Sequence, residues 1–255
     1  MLDKTLISNF EKKFLVDKDP FPNIIINDFL PIEIVRKAEN EFISYKKTIN
    51  SGNIRFQKTK MHSDDYANMP HTIKKIIYFF YSKDFIKLLE TKFNLRNILP
   101  DWNFYGGGMH ESRKGGYLKL HSDFIYIKKR KVKRRLNLLI YLNNNWDENW
   151  GGAIELWDQE MKYNFLKVFP HINNAVIFRT DTESNHGFPD PLKCPTEVGR
   201  KSIAVYYYTN ENALFKRTKY FYARWKRRPG LDEPKFGDNR NIFEKFKNKF
   251  LFRFK

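Results

Sequence analysis

The chain has 255 residues, 41% of them apolar and 17% aromatic, which is enough for a sizeable core and argues against disorder. The formal net charge is +18, a field that attracts polyanions such as nucleic acid, anionic lipid or charged sugars without choosing among them. No run of 18 apolar residues occurs, so no transmembrane segment is expected. Cys194 is the only cysteine and no signal-peptide core follows Met1, so a cytoplasmic protein is the plain expectation.

In chain order, residues 24–30 read as a short strand followed by a break. Pro31 then opens a helix in which Ile34, Val35, Ala38, Phe42 and Tyr45 keep helical spacing. Residues 48–70 are polar and read as irregular. A second helix runs from about His71 to Phe93, with Ile73, Ile76, Ile77, Phe80 and Phe85 on its buried side. From Leu99 onward the pattern is of short strands, at 117–127, 135–142, 153–157, 163–169, 175–179 and 201–209, separated by glycine, asparagine and proline. Helices followed by many short strands predict an α+β protein with a double-sheet jelly roll. The expected division is 1–98 for the N-terminal strand and supporting helices, 99–210 for the β core, and 211–255 for a basic C-terminal extension.

Charge is concentrated in two places. Lys128 to Arg135 holds seven basic residues in eight positions, and the stretch from Glu211 to the end holds 14 Lys/Arg against five Asp/Glu. In that tail Phe243, Phe246, Phe250 and Phe254 fall near helical spacing with lysines between them. Such a stripe either docks on the protein's own core or lies on a membrane surface.

The chemistry is expected at His121-Ser122-Asp123. On a strand, residues i and i+2 point to the same face, so His121 and Asp123 can share a metal ion. A distant histidine completes a two-His-one-carboxylate triad, which leaves open positions on an iron(II) centre. The chain carries a second His-x-Asp at His62-Ser63-Asp64. Its polar surroundings between two helices suggest a solvated loop or a helix cap. His186, after the apolar strand 175–179 and before Gly187, is the expected third ligand, with His171 as its rival. Arg200 and Ser202 alternate on the last strand, where a forked cation and a hydroxyl suit a carboxylate.

These pieces, in order, resemble a known family. They are Gly115–Phe124 around the His-x-Asp, Arg135–Asn143, Trp150–Leu156, His186-Gly187-Phe188-Pro189 and Arg200–Ala204. The stretch from about Trp102 to Thr209 is similar to the iron(II)/2-oxoglutarate oxygenases, specifically their prolyl 4-hydroxylase-like branch. The resemblance implies a double-stranded β-helix (jelly roll) core with N-terminal supporting helices. It implies iron, Fe(II), held by His121, Asp123 and His186, and 2-oxoglutarate held by Arg200 and Ser202 together with Tyr141. Asn137 shares the strand face of Tyr141 and is added to that set; ascorbate is the accessory reductant. The implied reaction is hydroxylation of an unactivated C–H bond. The substrate is left open between a prolyl residue, peptidyl or free, and a saccharide or nucleotide-linked sugar, with a nucleic-acid base as a third option. The segment 189–199 is longer than in many prolyl hydroxylases, which separates the substrate question from the metal chemistry. The competing reading is a non-catalytic protein on the same fold, using its basic surface for polyanion or membrane contact.

Overall fold

The computed structural model describes residues 2–44, 49–50, 56–210 and 222–231. Four α-helices are found among them: α1 (Lys4–Lys13), α2 (Ile32–Ser44), α3 (His71–Phe80) and α4 (Lys83–Lys92). The strands are β1 (Asn23–Ile26), β2 (Ile49–Asn50), β3 (Gln57–Ser63), β4 (Leu99–Pro100), β5 (Gly108–Ser122), β6 (Tyr126–Ile127) and β7 (Val132–Tyr141). They continue with β8 (Ile154–Trp157), β9 (Asn164–Val168), β10 (Ala175–Arg179), β11 (Asn185–Phe188), β12 (Arg200–Asn210) and β13 (Arg224–Trp225). No helix among the described residues is long and apolar enough to cross a membrane.

All the strand pairings are antiparallel, and the main path runs β1-β10-β7-β12-β5-β11-β8-β9. The sheet folds over on itself. Tyr141, Val176 and Phe178 of the β7–β10 half pack against Ile154, Leu156 and Val168 of the β8–β9 half. This is the double-stranded β-helix expected from the sequence, and the space between its halves holds the site.

The other face of the β7–β12 region is covered by helices. Leu136, Leu138, Ile140, Ile203, Val205 and Tyr207 join a core with Ile73, Ile76, Ile77, Phe80 and Phe85. Aromatic rings dominate it: Phe10 stacks on Phe14 and Phe29, both at 4.9 Å between centroids, and Phe29 stacks on Phe80 at 5.5 Å.

Several expectations change. Helix α1 lies in a segment that looks merely mixed in sequence; Asp3 caps it by accepting from the amides of Thr5 and Leu6. The single helix expected over 71–93 is two. It breaks after Phe80, where the Ser82 hydroxyl accepts from the Phe85 amide and starts α4. Residues 57–63 are not irregular but form β3, which pairs with β5 and places His62 opposite His110. The loop or cap expected for His62 is therefore a strand position. Tyr45 and the phenylalanine stripe at 243–254 lie outside the described residues.

Candidate active site

His121 is the penultimate residue of β5 and His186 sits on β11, where the two are cross-strand partners. Asp123 follows one residue beyond the end of β5. One ligand-type atom from each lies within 4.8 Å of the others. His121 Nε2 is 3.5 Å from Asp123 Oδ1, and His186 Nε2 is 3.6 Å from Asp123 Oδ2.

The histidines are held for this purpose by the backbone. His121 Nδ1 is 2.8 Å from the Lys119 carbonyl and His186 Nδ1 is 2.9 Å from the Ser184 carbonyl. A carbonyl only accepts, so each Nδ1 carries a proton and each Nε2 is turned to the cluster. Burial holds the His186 pKa down to about 4, although Asp123 opposes the shift, so the ring stays neutral. Burial alone would raise the Asp123 pKa. Arg134, His186 and His121 outweigh it and hold the carboxyl well below its usual range.

Asp123 is also fixed in orientation. Asn137 Nδ2 donates to Asp123 Oδ2 at 2.8 Å, and Arg134 Nε donates to Asn137 Oδ1 at 2.7 Å. Arg134 Nη2 lies 3.2 Å from Asp123 Oδ2, an ion pair without hydrogen-bond alignment. The Arg134 guanidinium lies 3.4 Å above the Tyr206 ring. Strict alternation along β7 would point Arg134 toward the helices, as it does Leu136. The register shift at Tyr207/Tyr208 leaves Arg135 as an extra residue, and this bulge turns Arg134 to the Asn137 side.

These groups line a cavity of about 250 Å³ that also reaches Arg200, Ser202, Phe188 and Ile154. Arg200 is buried and has no carboxylate partner among the described residues. Its Nε donates to the Gly152 carbonyl at 2.7 Å and its Nη2 to Tyr141 Oη at 3.1 Å. Its guanidinium lies over the Phe188 and Tyr141 rings at 4.3 and 4.9 Å. Gly152 must stay small and takes φ +79; a Cβ there would lie 2.7 Å from Leu192 and 3.2 Å from Arg200 Cδ. Ser202 is buried directly opposite Tyr141 on β7 and His110 on β5.

The structure thus brings His121, Asp123, His186, Asn137, Arg200, Ser202 and Tyr141 to one place. Both amide atoms of Asn137 are engaged with Asp123 and Arg134, which links it to the carboxylate. His171 is elsewhere, with Nε2 3.0 Å from Glu148. Sequence reasoning missed Arg134, hidden in the basic run, and Lys60 on β3, which also lines the cavity. It also missed Trp225. Strand β13 pairs with β5 so that Trp225 faces His121, with ring centroids 4.9 Å apart, and part of the basic extension thereby joins the site.

The arrangement is a two-His-one-carboxylate cluster beside a cation with no acid partner among the described residues, on a double-stranded β-helix. Residues 107–208, about two fifths of the chain, match the model of the 2OG-Fe(II) oxygenase superfamily. That segment therefore matches the oxygenase domain of the superfamily, and the enzyme class it indicates is a dioxygenase of the 2-oxoglutarate/iron(II) type. No curated protein sequence matches the chain. Among solved structures, the chain is similar to a prolyl hydroxylase from Trichoplax adhaerens in complex with a hypoxia inducible factor peptide fragment. The identity is 16% and the TM-score 0.51, over 80% of this chain and 87% of that one. It is also similar to HygX from Streptomyces hygroscopicus with nickel, 2-oxoglutarate and hygromycin B bound. There the identity is 14% and the TM-score 0.52, over 88% of this chain and 98% of that one. A third is the viral collagen prolyl hydroxylase of Paramecium Bursaria Chlorella virus-1, at 16% identity and TM-score 0.50, over 73% of this chain and 96% of that one. At these identities the likeness is one of fold.

Proposed function

We propose that His121, Asp123 and His186 hold iron(II), and that Arg200, Tyr141 and Ser202 hold the distal carboxylate of 2-oxoglutarate. The protein would hydroxylate an unactivated C–H bond of a small or peptidyl substrate. The observation that carries this reading is the pairing of two imidazole Nε2 atoms and one ionised carboxylate with a buried Arg200 that has no acid partner among the described residues. Neither feature stabilises the fold on its own terms. Three metal-type ligands packed together need a cation, and a buried guanidinium needs an anion.

Iron(II) with 2-oxoglutarate supplies the oxidising chemistry when bound, with succinate and carbon dioxide as co-products. The residues of the chain do the rest. Lys119 and Ser184 carbonyls fix the imidazole tautomers. Asn137 and Arg134 fix the Asp123 carboxylate so that one oxygen stays free for the metal. Arg200 and Tyr141 set the depth at which a dicarboxylate comes to rest. Phe178, Phe188 and Ile154 line the cavity with apolar surface and limit water. For the substrate, a prolyl residue and a saccharide or nucleotide-linked sugar are the two classes to assay.

The test is succinate release. Protein loaded anaerobically with iron(II) and 2-oxoglutarate is exposed to oxygen, alone and with prolyl peptides or saccharides. Iron-dependent succinate, raised by one substrate class, is expected. No succinate under any condition, with no metal-dependent binding of 2-oxoglutarate, would reject the assignment.

A further inference from the structure

Lys60 is the feature the proposed chemistry leaves unused. It comes from β3, outside the residues matched by the oxygenase family, yet its side chain lines the same cavity as Asp123, Arg134 and Arg200. Asp123 is the single acid among the described residues lining this cavity, against three cations. Asp123 pairs with Arg134 and, in the proposed reading, with iron. Arg200 takes one carboxylate of 2-oxoglutarate, and the metal takes the other. The Lys60 ammonium then has no counter-ion among the described residues, and it makes no hydrogen bond or ion pair with any of them. Burial, only partly offset by Asp123, brings its pKa down to about 8, so at neutral pH the group is still largely charged.

The backbone aims this lysine on purpose. Thr59, a β-branched residue, takes φ +50, a conformation that such residues rarely adopt. The β3–β5 register shifts at the same point, between Lys58 and Lys60. Lys58 is exposed, whereas Lys60, two residues on, is turned to the cavity. The irregularity is locked from the other strand. Thr59 Oγ1 donates to the Arg113 carbonyl at 3.1 Å, and a Cβ on Gly116 would sit 2.3 Å from Thr59 Oγ1. Bulges of this kind commonly re-aim a side chain beside an active site. A second unsatisfied donor lies on the same cavity: the buried indole Nε1 of Trp225 finds no acceptor among the described residues.

A half-buried cation with no partner among the described residues, aimed by a strained backbone and accompanied by an unused N–H, calls for an oxyanion. We infer that Lys60 anchors an anionic group, a phosphate, sulfate or carboxylate, carried by the organic substrate of this site. The inference rests on the iron and 2-oxoglutarate reading, because it is the co-substrate that leaves Lys60 unpaired. It makes Lys60 a specificity residue supplied by β3 rather than by the shared oxygenase core.

The experiment uses the full chain loaded with manganese(II) and 2-oxoglutarate under nitrogen. Phenyl phosphate, benzenesulfonate and benzoate are titrated calorimetrically, with benzyl alcohol as the uncharged control. The three anions distinguish the oxyanion classes. At least one is expected to saturate a single site about tenfold or more tightly than benzyl alcohol. Lys60→Gln is expected to erase that preference, Lys60→Arg to retain it, and 2-oxoglutarate affinity to stay within about twofold in both. Thermal melting of Lys60→Gln at or above that of the wild type separates this effect from misfolding, since the variant removes a half-buried charge that has no partner among the described residues. Equal binding of anions and alcohol by the wild type, or unchanged anion binding by Lys60→Gln, would overturn the inference. So would loss of 2-oxoglutarate rather than anion binding, which would move Lys60 to the co-substrate. Failure of the wild type to bind manganese and 2-oxoglutarate at all would overturn the proposed function along with it.

Discussion

Strands β7 and β12 have two faces with opposite purposes. On one, Leu136, Leu138, Ile140, Ile203, Val205 and Tyr207 meet the aromatic cluster of the helices. On the other, Asn137, Tyr141, Ser202 and Tyr206 meet charged groups and a cavity. The first face is filled and has every reason to be stable. The second concentrates an ionised carboxylate, two imidazoles and three cations in little space, and leaves Arg200 and Lys60 without counter-ions among the described residues. Buried charge of that kind costs stability unless a ligand arrives to neutralise it. The comparison teaches that the helical face holds the scaffold against the strain stored on the cavity face, a division common at functional sites.

Variants that separate the two faces test this division. The largest effect is expected from Asp123→Ala, which removes the shared carboxylate: iron(II) affinity should fall by about a hundredfold or more. The buried Arg134 left behind should lower stability by about 3–5 kcal/mol, read by denaturant unfolding. Phe85→Ala on the helical face should cost about 3–5 kcal/mol of stability through the cavity it leaves among the phenylalanine rings. It should leave 2-oxoglutarate affinity unchanged at temperatures where the variant is folded. Arg200→Gln should show the reverse, weakening 2-oxoglutarate by about 10- to 100-fold. Its melting temperature should stay within about 3 °C of the wild type or rise. If Arg200→Gln unfolds the protein as strongly as Phe85→Ala, the cavity face is structural and the comparison fails. The smallest effect is expected from His62→Gln, where iron(II) affinity should not change by more than about twofold. A large loss there would mean the other His-x-Asp holds the metal.

How much of this was legible in sequence follows from the same contrast. The helical face announces itself, because Ile73, Ile76, Ile77, Phe80 and Phe85 repeat with helical spacing and Ile203, Val205 and Tyr207 with strand spacing. His121, Asp123, His186 and Arg200 were legible because the His-x-Asp lies at the end of an alternating strand, with Asp123 just beyond it, and the rest follow in order. Strand β3 was not. Gln57, Lys60 and His62 face a polar cavity and a histidine rather than a core, so no apolar alternation marks the strand. Arg134 and Lys60 were hidden for a second reason. Each reaches the cavity through an irregularity, Arg135 in β7 and Thr59 in β3, and a bulge breaks the parity from which a strand's faces are read. Trp225 could not be placed either, because its pairing with β5 joins segments about a hundred residues apart in the chain. The break between α3 and α4 had a visible sign in Ser82 and Asp84, a cap and an acidic first turn, overridden by the continuous apolar spacing around it.

The central claim is that the cavity face is built for a metal and a dicarboxylate together. The most direct measurement is anaerobic calorimetry of 2-oxoglutarate binding, with and without iron(II), to the wild type and to Arg200→Gln. The account predicts that 2-oxoglutarate binds the wild type only after iron(II), and that Arg200→Gln still takes iron(II) but binds 2-oxoglutarate weakly. Binding of 2-oxoglutarate that is indifferent to both the metal and Arg200 would contradict it.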